Sequence, residues 1–214
     1  MEPFAGGAGY SLWWGVDEAV LIDKFEKIVA VWEWLIAADP EDILALPMVD
    51  EGESVDDYGL QGARRWFVGW WLSSAGVASP VLRPSKFAQI NKKTGAWGSY
   101  WNPQLRGKIA RDIPRLRRWV ACVGDYRDAP DIEATWFIDP PYQEAGRHYP
   151  RGSRGIDYAD LAEFCRTRRG QVIVCENEGA DWLPFQTFRS WSSGFDGAGN
   201  AKSTKEVIWT NDAW

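Results

Sequence analysis

Short apolar runs alternate along the chain with segments of helical period. Residues 19–22 and 135–138 are apolar, β-rich runs typical of strands buried in a sheet, and they are followed by Asp23 and Asp139. Residues 24–38 carry apolar side chains every three or four positions, which is the period of a helix with one buried face. The pattern therefore predicts strands that end at acidic residues, with helices between them.

The rest of the chain extends this alternation. Further helices are predicted at residues 10–14, 64–72, 105–120 and 158–168, further strands at 121–123, 171–175 and 206–209, and mostly loop at 83–104. Strands separated by helices favour an α/β fold with a parallel, doubly wound sheet. Ligands of such sheets bind beyond the carboxyl ends of the strands, so polar residues at those ends are the first candidates for a site.

Length and composition limit the classes of protein to consider. The chain has 214 residues, enough for one compact domain with an inserted subdomain, and 45% of them are hydrophobic. Because it has no apolar run of about 18 residues and no basic segment ahead of an apolar one at its start, we expect neither a membrane span nor a signal peptide. Three scattered cysteines indicate buried thiols in a reducing compartment, and we expect a cytoplasmic protein.

Residue types that support metal or triad chemistry are scarce. His148 is the single histidine, which argues against a histidine metal site and against a Ser-His-Asp triad. The acidic stretch 50–57 lacks the alternating spacing and the glycine of a calcium loop. We therefore expect no metal site, and we favour solvent exposure over a substrate contact for His148.

The charges are segregated, although the net charge is -6. Residues 39–61 hold eight acidic side chains and no basic one, whereas residues 83–118 hold ten basic side chains and one acid. A local basic block is what a phosphate-binding surface needs, and its candidate DNA contacts are Lys86, Lys92, Lys93, Arg106, Lys108 and Arg111. Charge alone leaves a second interpretation equally open, in which this block is a solvated helix face that balances the acidic stretch.

A glycine turn follows Phe4 at the start of the chain. Gly6, Gly7 and Gly9 permit close approach of a ligand to the backbone, and the helix that begins after them favours an anionic group at its N-terminus. Asp23 ends the next strand, where an acid commonly accepts hydrogen bonds from ribose hydroxyls. Alone this signal is weak, and helix N-capping is an equally open role for Asp23.

The segment Asp139-Pro140-Pro141-Tyr142 has the composition needed to activate an exocyclic amine of a nucleobase. The lone pair of such an amine is delocalised into the ring, and two hydrogen-bond acceptors on its N–H groups favour the reactive, pyramidal form. The Asp139 carboxylate and the Pro140 carbonyl are the candidate acceptors, and consecutive prolines aim the carbonyls rigidly. Tyr142 is a candidate for stacking on a flipped base. The alternative is a proline turn after a buried strand.

Together these segments resemble the DNA adenine methyltransferases of the bacterial and phage type, in which a cofactor motif precedes a recognition region and a catalytic motif. The similar segments are Glu2-Pro3-Phe4-Ala5-Gly6-Gly7-Ala8-Gly9, Leu21-Ile22-Asp23, residues 97–102 with the following basic helix, Gly124-Asp125-Tyr126, Asp139-Pro140-Pro141-Tyr142, and residues 174–177 and 206–211. Their order and spacing cover nearly the whole chain, and the combination is more specific than any one motif.

The resemblance implies a Rossmann-like methyltransferase that transfers a methyl group from S-adenosylmethionine to N6 of adenine in double-stranded DNA, in a bacterial cell or a phage-infected host. It implies a methyltransferase domain at 1–38 and 119–214 and a mainly helical recognition insert at 39–118. It assigns catalysis to Asp139, Pro140, Pro141 and Tyr142. The cofactor-binding residues that it implies are Pro3, Phe4, Ala5, Gly6, Gly7, Asp23, Asp125 and Asp139.

One further expectation comes from the comparison with this family. Its members usually begin with an additional segment, containing Gly-Gly-Lys, that packs over the methionine end of the cofactor. Here the cofactor motif begins at Glu2. We therefore expect a missing N-terminal segment or a partner chain to complete the cofactor site.

Three alternative activities stay open at this point. The first is N4 methylation of cytosine, although relatives of that type more often carry serine at the position of Asp139. The second is methylation of RNA, because the motif binds the amine and not the sugar. The third is a catalytically silent DNA-binding homologue.

Overall fold

The computed structural model describes residues 1–73, 79–86, 89, 100–144, 146, 152–195 and 201–211, with the backbone alone for 189–195 and 201–204. Two of the candidate DNA contacts, Lys92 and Lys93, lie outside the described residues, as do His148 and most of the predicted loop at 83–104. The described part has a mixed α/β fold, which confirms the coarse fold class predicted from the sequence.

The chain divides into two compact units. Unit 1 comprises Met1–Ser11, Leu21–Lys24 and Gly124–Trp214. Unit 2 comprises Leu12–Val20 and Phe25–Val123. The helix predicted at residues 24–38, which the sequence division assigns to the methyltransferase domain, therefore belongs almost entirely to unit 2.

The helices largely follow the hydrophobic pattern. They are α1 (Gly9–Trp14), α2 (Glu26–Ala37), α3 (Pro40–Leu44), α4 (Gly62–Trp71), α5 (Pro103–Asp112) and α6 (Tyr158–Thr167), with short 3-10 turns at Val55–Tyr58, Ile113–Leu116, Tyr126–Asp128 and Ser153–Gly155. The predicted helices at 10–14, 24–38, 64–72 and 158–168 are thus confirmed. The predicted helix at 105–120 is wrong in its length.

Helix α5 begins earlier and ends earlier than the pattern predicts. The Asn102 side chain accepts a hydrogen bond from the Leu105 amide (2.8 Å), and Pro103 occupies the first turn, where it needs no amide hydrogen. Pro114 lies two residues after the last residue of α5, Asp112. Proline lacks the N–H group of a continuing helix, and its ring clashes with the preceding turn. The chain passes into a 3-10 turn at Ile113–Leu116 and then into a strand.

The strands are β1 (Val20–Asp23), β2 (Val120–Val123), β3 (Trp136–Ile138), β4 (Val172–Asn177), β5 (Gln186–Phe195) and β6 (Ala201–Thr210). Strands β1 and β2 form a two-stranded sheet, and the other four are ordered β3-β4-β6-β5. Strands β3 and β4 are parallel, with Ile138 opposite Val174. Strand β6 is antiparallel to both β4 and β5.

The prediction of a parallel sheet therefore does not hold for β5 and β6, and β5 was not predicted. Gln186–Phe195 contains threonine, arginine and serine beside its aromatic residues, so it forms no continuous apolar run. Antiparallel hairpins tolerate this composition because one of their faces can meet water. The parallel part of the sheet is the part that the apolar runs identified.

Each unit has its own buried core. In unit 1, Trp136, Ile138, Leu161 and Val172 are fully buried. The core of unit 2 includes Trp32, Ile43, Val55, Phe67 and Val68. Within the described ranges, no helix is both long enough and apolar enough to cross a membrane.

The cysteines are only partly as expected. Cys165 is buried, Cys175 is partly buried and Cys122 is exposed, and none of them is in a disulfide. The expectation of buried thiols is therefore wrong for Cys122. Its strand, β2, is largely open to solvent, with Val120 and Val123 more than half exposed.

Candidate active site

The first five residues of unit 1 lie between two strand segments of the same unit. On one side, the Ile22 amide donates to the Glu2 carbonyl and the Ala5 amide donates to the Ile22 carbonyl, both at 2.9 Å. On the other side, the Met1 ammonium donates to the Thr135 carbonyl and the Phe137 amide donates to the Met1 carbonyl, also at 2.9 Å. Both sets of bonds have the parallel pattern.

Because these segments are parallel, their carboxyl ends share one edge of unit 1. Asp23 is the last residue of β1, and the glycine turn and Asp139 directly follow the other two segments. The Gly124 amide donates to the Asp23 carbonyl (3.1 Å), which brings the start of the Asp125 segment to the same edge. Strand β4 contributes Glu176 there, since Ile138 pairs with Val174. The predicted catalytic acid and the predicted cofactor acids thus lie along one strand edge.

The glycine turn is closed by acidic side chains from both of its flanks. The Gly6 amide donates to Asp23 Oδ2 (3.0 Å), with Gly6 at a φ of +44°, a conformation that suits glycine. Across the turn, the Ser11 amide donates to Oε1 of the buried Glu2 (2.8 Å). A side chain placed at Gly7 would meet no protein atom within 4 Å, so the turn presents its backbone to open space.

The N-cap of α2 is Phe25, whose own side chain makes no capping hydrogen bond. The Asp23 carboxylate, two residues earlier, holds the glycine turn through Gly6. Of the other predicted cofactor residues, Pro3 and Ala5 are buried beneath the turn, and the ring of Phe4 stacks on Tyr126 at 5.6 Å between centroids.

Asp125 is engaged by two cations of unit 1. Its carboxylate forms ion pairs with Lys24 and with Arg127, and it accepts a hydrogen bond from the Arg127 amide (3.0 Å). Burial alone would raise the pKa of Asp125, but the hydrogen bonds from Lys24 and from the Arg127 amide outweigh it, and the pKa lies below its usual value. Asp125 is therefore a carboxylate at neutral pH, already neutralised by Lys24.

Asp139 is crowded by protein and yet open to solvent. Burial of the carboxylate, together with the charges of Glu206, Glu2 and Glu176, raises its pKa to about 6 in spite of a hydrogen bond with the Tyr142 side chain. Asp139 as a whole residue is nevertheless exposed to solvent. An acid that is surrounded on most sides but reachable from one is suited to accept a hydrogen bond from a bound ligand.

The loop after Asp139 is held by two residues that the sequence did not single out for chemistry. The Tyr158 hydroxyl donates to the Pro141 carbonyl (2.6 Å), and the Gln143 amide donates to Oε1 of Glu176 (2.7 Å). Glu176 is 1% exposed. Its place at the end of β4, beside the end of β3, was the available sequence signal.

The candidate DNA contacts of unit 2 differ in how firmly they are held. Lys86 and Lys108 are exposed. Arg106 is partly buried and donates to the Leu46 carbonyl (2.6 Å), whereas Arg111 pairs with the adjacent Asp112 at 3.4 Å. Part of the basic block balances the acidic stretch 39–61, as the second interpretation of the charges predicted. Arg117 pairs with Asp39 of that stretch at 2.6 Å.

Comparison with known proteins assigns no family to the chain. The chain matches no known family model and no curated protein. Among the described residues there is also no group of three or more histidine, cysteine or acidic side chains arranged to hold a metal ion.

Proposed function

We propose that the chain is an S-adenosylmethionine-dependent DNA methyltransferase that acts on N6 of adenine. The observation that carries the proposal is the position of Asp139-Pro140-Pro141-Tyr142. This segment directly follows a parallel strand, with the Asp139 carboxylate hydrogen-bonded to Tyr142, at the strand edge that also holds the glycine turn and Asp23.

The residues at the glycine turn fit the proposed cofactor. The backbone at Gly7 faces open space, so a ligand can approach it closely, and Asp23 is fixed beside it by the Gly6 amide. Asp125 fits as an acceptor for the adenine amine, provided that it shares or gives up its ion pair with Lys24. When bound, S-adenosylmethionine supplies a methyl group on a positively charged sulfur.

The chain's own residues would activate and hold the target amine. With a pKa of about 6, Asp139 is mostly a carboxylate at pH 7 and can accept a hydrogen bond from one N–H of the amine. The Pro140 carbonyl is the candidate acceptor for the other N–H, and the ring of Tyr142 is the candidate stacking surface for the base. Catalysis would then rest on positioning and electrostatics rather than on a protein nucleophile.

We also propose that unit 1 carries a Rossmann-like methyltransferase sheet. Support comes from the backbone bonds that join residues 1–5 to Ile22 on one side and to Phe137 on the other. In one layer of unit 1 built by these bonds, the strand order is β1, residues 1–5, β3, β4, β6 and β5, with β6 antiparallel. The ligand site of such a layer lies at the carboxyl ends of its parallel strands.

The proposed macromolecular substrate is double-stranded DNA. The support is the pair of exposed lysines, Lys86 and Lys108, in the basic block of unit 2. Contacts of this kind position a duplex through its phosphates and carry no sequence preference. We propose a cytoplasmic, reducing compartment as the place of action, since none of the three cysteines forms a disulfide.

The decisive experiment is transfer of a labelled methyl group from S-adenosylmethionine to unmethylated duplex DNA, with Asp139→Ala beside the wild type. We expect label in N6-methyladenine for the wild type and none above background for the variant, with both proteins folded by circular dichroism. Glu178→Gln is a suitable control because it removes an acidic side chain that is 56% exposed and paired only with Lys205 among the interactions seen.

The other outcomes separate the alternatives. Label in N4-methylcytosine would make cytosine the target base in place of adenine. Preferential labelling of RNA over DNA in competition would make RNA the substrate in place of DNA. A folded protein that binds duplex DNA but transfers no label to any substrate would overturn the enzymatic proposal in favour of a silent homologue.

A further inference from the structure

Glu176 is a fully buried carboxylate, and its hydrogen-bond partners among the described residues include no basic side chain. Its Oε1 accepts from the Gln143 amide (2.7 Å) and from the Trp182 indole (3.3 Å), and its Oε2 accepts from the Asn177 amide (2.8 Å). Burying a carboxylate is costly unless hydrogen bonds compensate for the lost water. Burial accordingly raises the pKa of Glu176, and these N–H donors offset part of the rise.

The most informative of these bonds is the one to Gln143. Gln143 directly follows Tyr142, so Glu176 fixes the backbone at the end of the 139–142 segment. The Tyr158 hydroxyl fixes the same segment one step earlier, through the Pro141 carbonyl (2.6 Å). The Trp182 ring contacts the Tyr158 ring at 5.4 Å between centroids, which links the two supports.

We infer that Glu176, supported by Tyr158, is a positioning residue that holds the Asp139–Tyr142 segment in its reactive geometry. The inference rests on the proposed function, since it assigns the segment to methyl transfer. A buried acid bonded to backbone amides of a neighbouring loop sets where that loop lies, and small displacements of reacting groups reduce rates steeply. Glu176 itself touches no reacting atom in this scheme.

Two substitutions of Glu176 distinguish positioning from charge. Glu176→Gln removes the charge but keeps an acceptor oxygen that can still bond the Gln143 amide. Glu176→Met keeps a similar volume and removes every acceptor. We expect kcat to fall about 10-fold in Glu176→Gln and about 100-fold in Glu176→Met, with KM for DNA within about 3-fold of the wild type. Glu178→Gln, two residues along the chain and exposed, is the matched control for charge.

A second measurement follows the loop without using the reaction. Hydrogen exchange at the Gln143 amide should be slow in the wild type and in Glu178→Gln, and at least about 10-fold faster in Glu176→Met. Tyr158→Phe should lower kcat less, and its effect should not add to that of Glu176→Met because both side chains hold one segment.

Three results would overturn the inference. They are equal losses of kcat in Glu176→Gln and Glu176→Met, a loss expressed in KM alone, or unchanged Gln143 exchange in a folded Glu176→Met protein. Failure of the proposed function has a different signature, namely a wild type that transfers no methyl group while Gln143 exchange still responds to Glu176→Met.

Discussion

Two buried acids of unit 1 and two surface acids of unit 2 are held in different ways. In unit 1, Glu2 and Glu176 are buried and accept hydrogen bonds mainly from backbone amides, and Asp139 is crowded enough for its pKa to rise to about 6. In unit 2, Asp39 is exposed and Asp42 is partly exposed, and each pairs with an arginine side chain at the surface. The first arrangement fixes backbone and pKa, whereas the second leaves the charges in water.

The difference indicates which acids can leave their partners for a phosphate and which can hold reacting groups in place. Surface ion pairs contribute little to stability, and their positive partners can exchange an acid for a phosphate. Carboxylates bound by backbone amides cannot exchange partners without moving the chain, so they are suited to hold reacting groups in place. We therefore expect substitutions at the buried or crowded acids of unit 1 to act mainly on the rate of transfer, and substitutions in unit 2 to change DNA affinity or folding.

The largest expected effect is on the rate, in unit 1. Asp139→Asn removes the negative charge that is proposed to bind the amine, and we expect kcat to fall by about 1,000-fold while cofactor affinity stays within a few-fold. Single-turnover transfer of labelled methyl and calorimetric titration of the cofactor measure the two quantities. A variant that retains more than a tenth of the wild-type rate would remove Asp139 from the mechanism.

The next largest effect is on folding, in unit 2. Phe67 is 6% exposed and its ring contacts those of Trp34, Trp71 and Trp101. We expect Phe67→Ala to lower the free energy of unfolding by about 3–5 kcal/mol through the cavity left among these rings. Urea denaturation measures the change. A loss below about 1 kcal/mol would show that this aromatic cluster is not a packed core.

A smaller effect is expected on DNA affinity. We expect Lys86→Ala with Lys108→Ala to weaken duplex binding about 10-fold and to reduce the slope of log affinity against log salt by about 2, with kcat unchanged. The control removes the same charge through Arg117→Ala with Arg118→Ala, whose side chains pair with Asp39 and Glu18. Equal effects of the two double variants would indicate attraction by net charge, without a defined contact.

The stability of unit 1 should depend on pH through Asp139. Its folded-state pKa of about 6 lies above the ordinary 3.8, so protonation favours the folded state, and this contribution is lost as pH rises from about 4 to about 6. After allowance for solvent screening of an exposed residue, we expect Asp139→Asn to be more stable than the wild type by about 1 kcal/mol at pH 7 and equally stable near pH 4. Urea denaturation at both pH values tests this, and an equal gap at both would contradict it.

The smallest expected effect is on cofactor affinity, through Asp125, the proposed cofactor-binding acid that is paired with Lys24. Lys24→Met releases the Asp125 carboxylate from its ion pair, and we expect S-adenosylmethionine to bind about 3-fold more tightly at low salt, with the difference disappearing at high salt. Calorimetric titration at two salt concentrations measures it. Weaker binding in the variant would show that Lys24 assists the cofactor and does not compete with it.

The sequence predicted the first strands of unit 1 closely because each of them is a continuous run of apolar residues. The runs at 19–22 and 135–138 became β1 and β3, displaced by one residue or less at each end. Asp23 and Asp139 were placed at strand ends by the same argument. Their chemical roles stay predictions, since geometry alone does not establish a reaction.

Other features could not be predicted because they depend on contacts between distant residues. Glu176 looks like one polar residue at the end of an apolar strand, and its bond to Gln143 joins positions 33 residues apart. The engagement of Asp125 by Lys24 likewise joins two strand ends that the sequence separates widely. Strand β5 was missed because its polar composition carries no apolar run.

The uneven exposure of the three thiols makes the native chain a convenient subject for labelling. Burial raises the pKa of Cys165 to about 12 and raises that of Cys175 further, so neither provides the thiolate that reacts with maleimides. Cys122 is exposed on β2, three residues before Asp125. A fluorophore or spin label can therefore be attached at one defined position, close in sequence to the proposed cofactor-binding acid, without introducing or removing any cysteine.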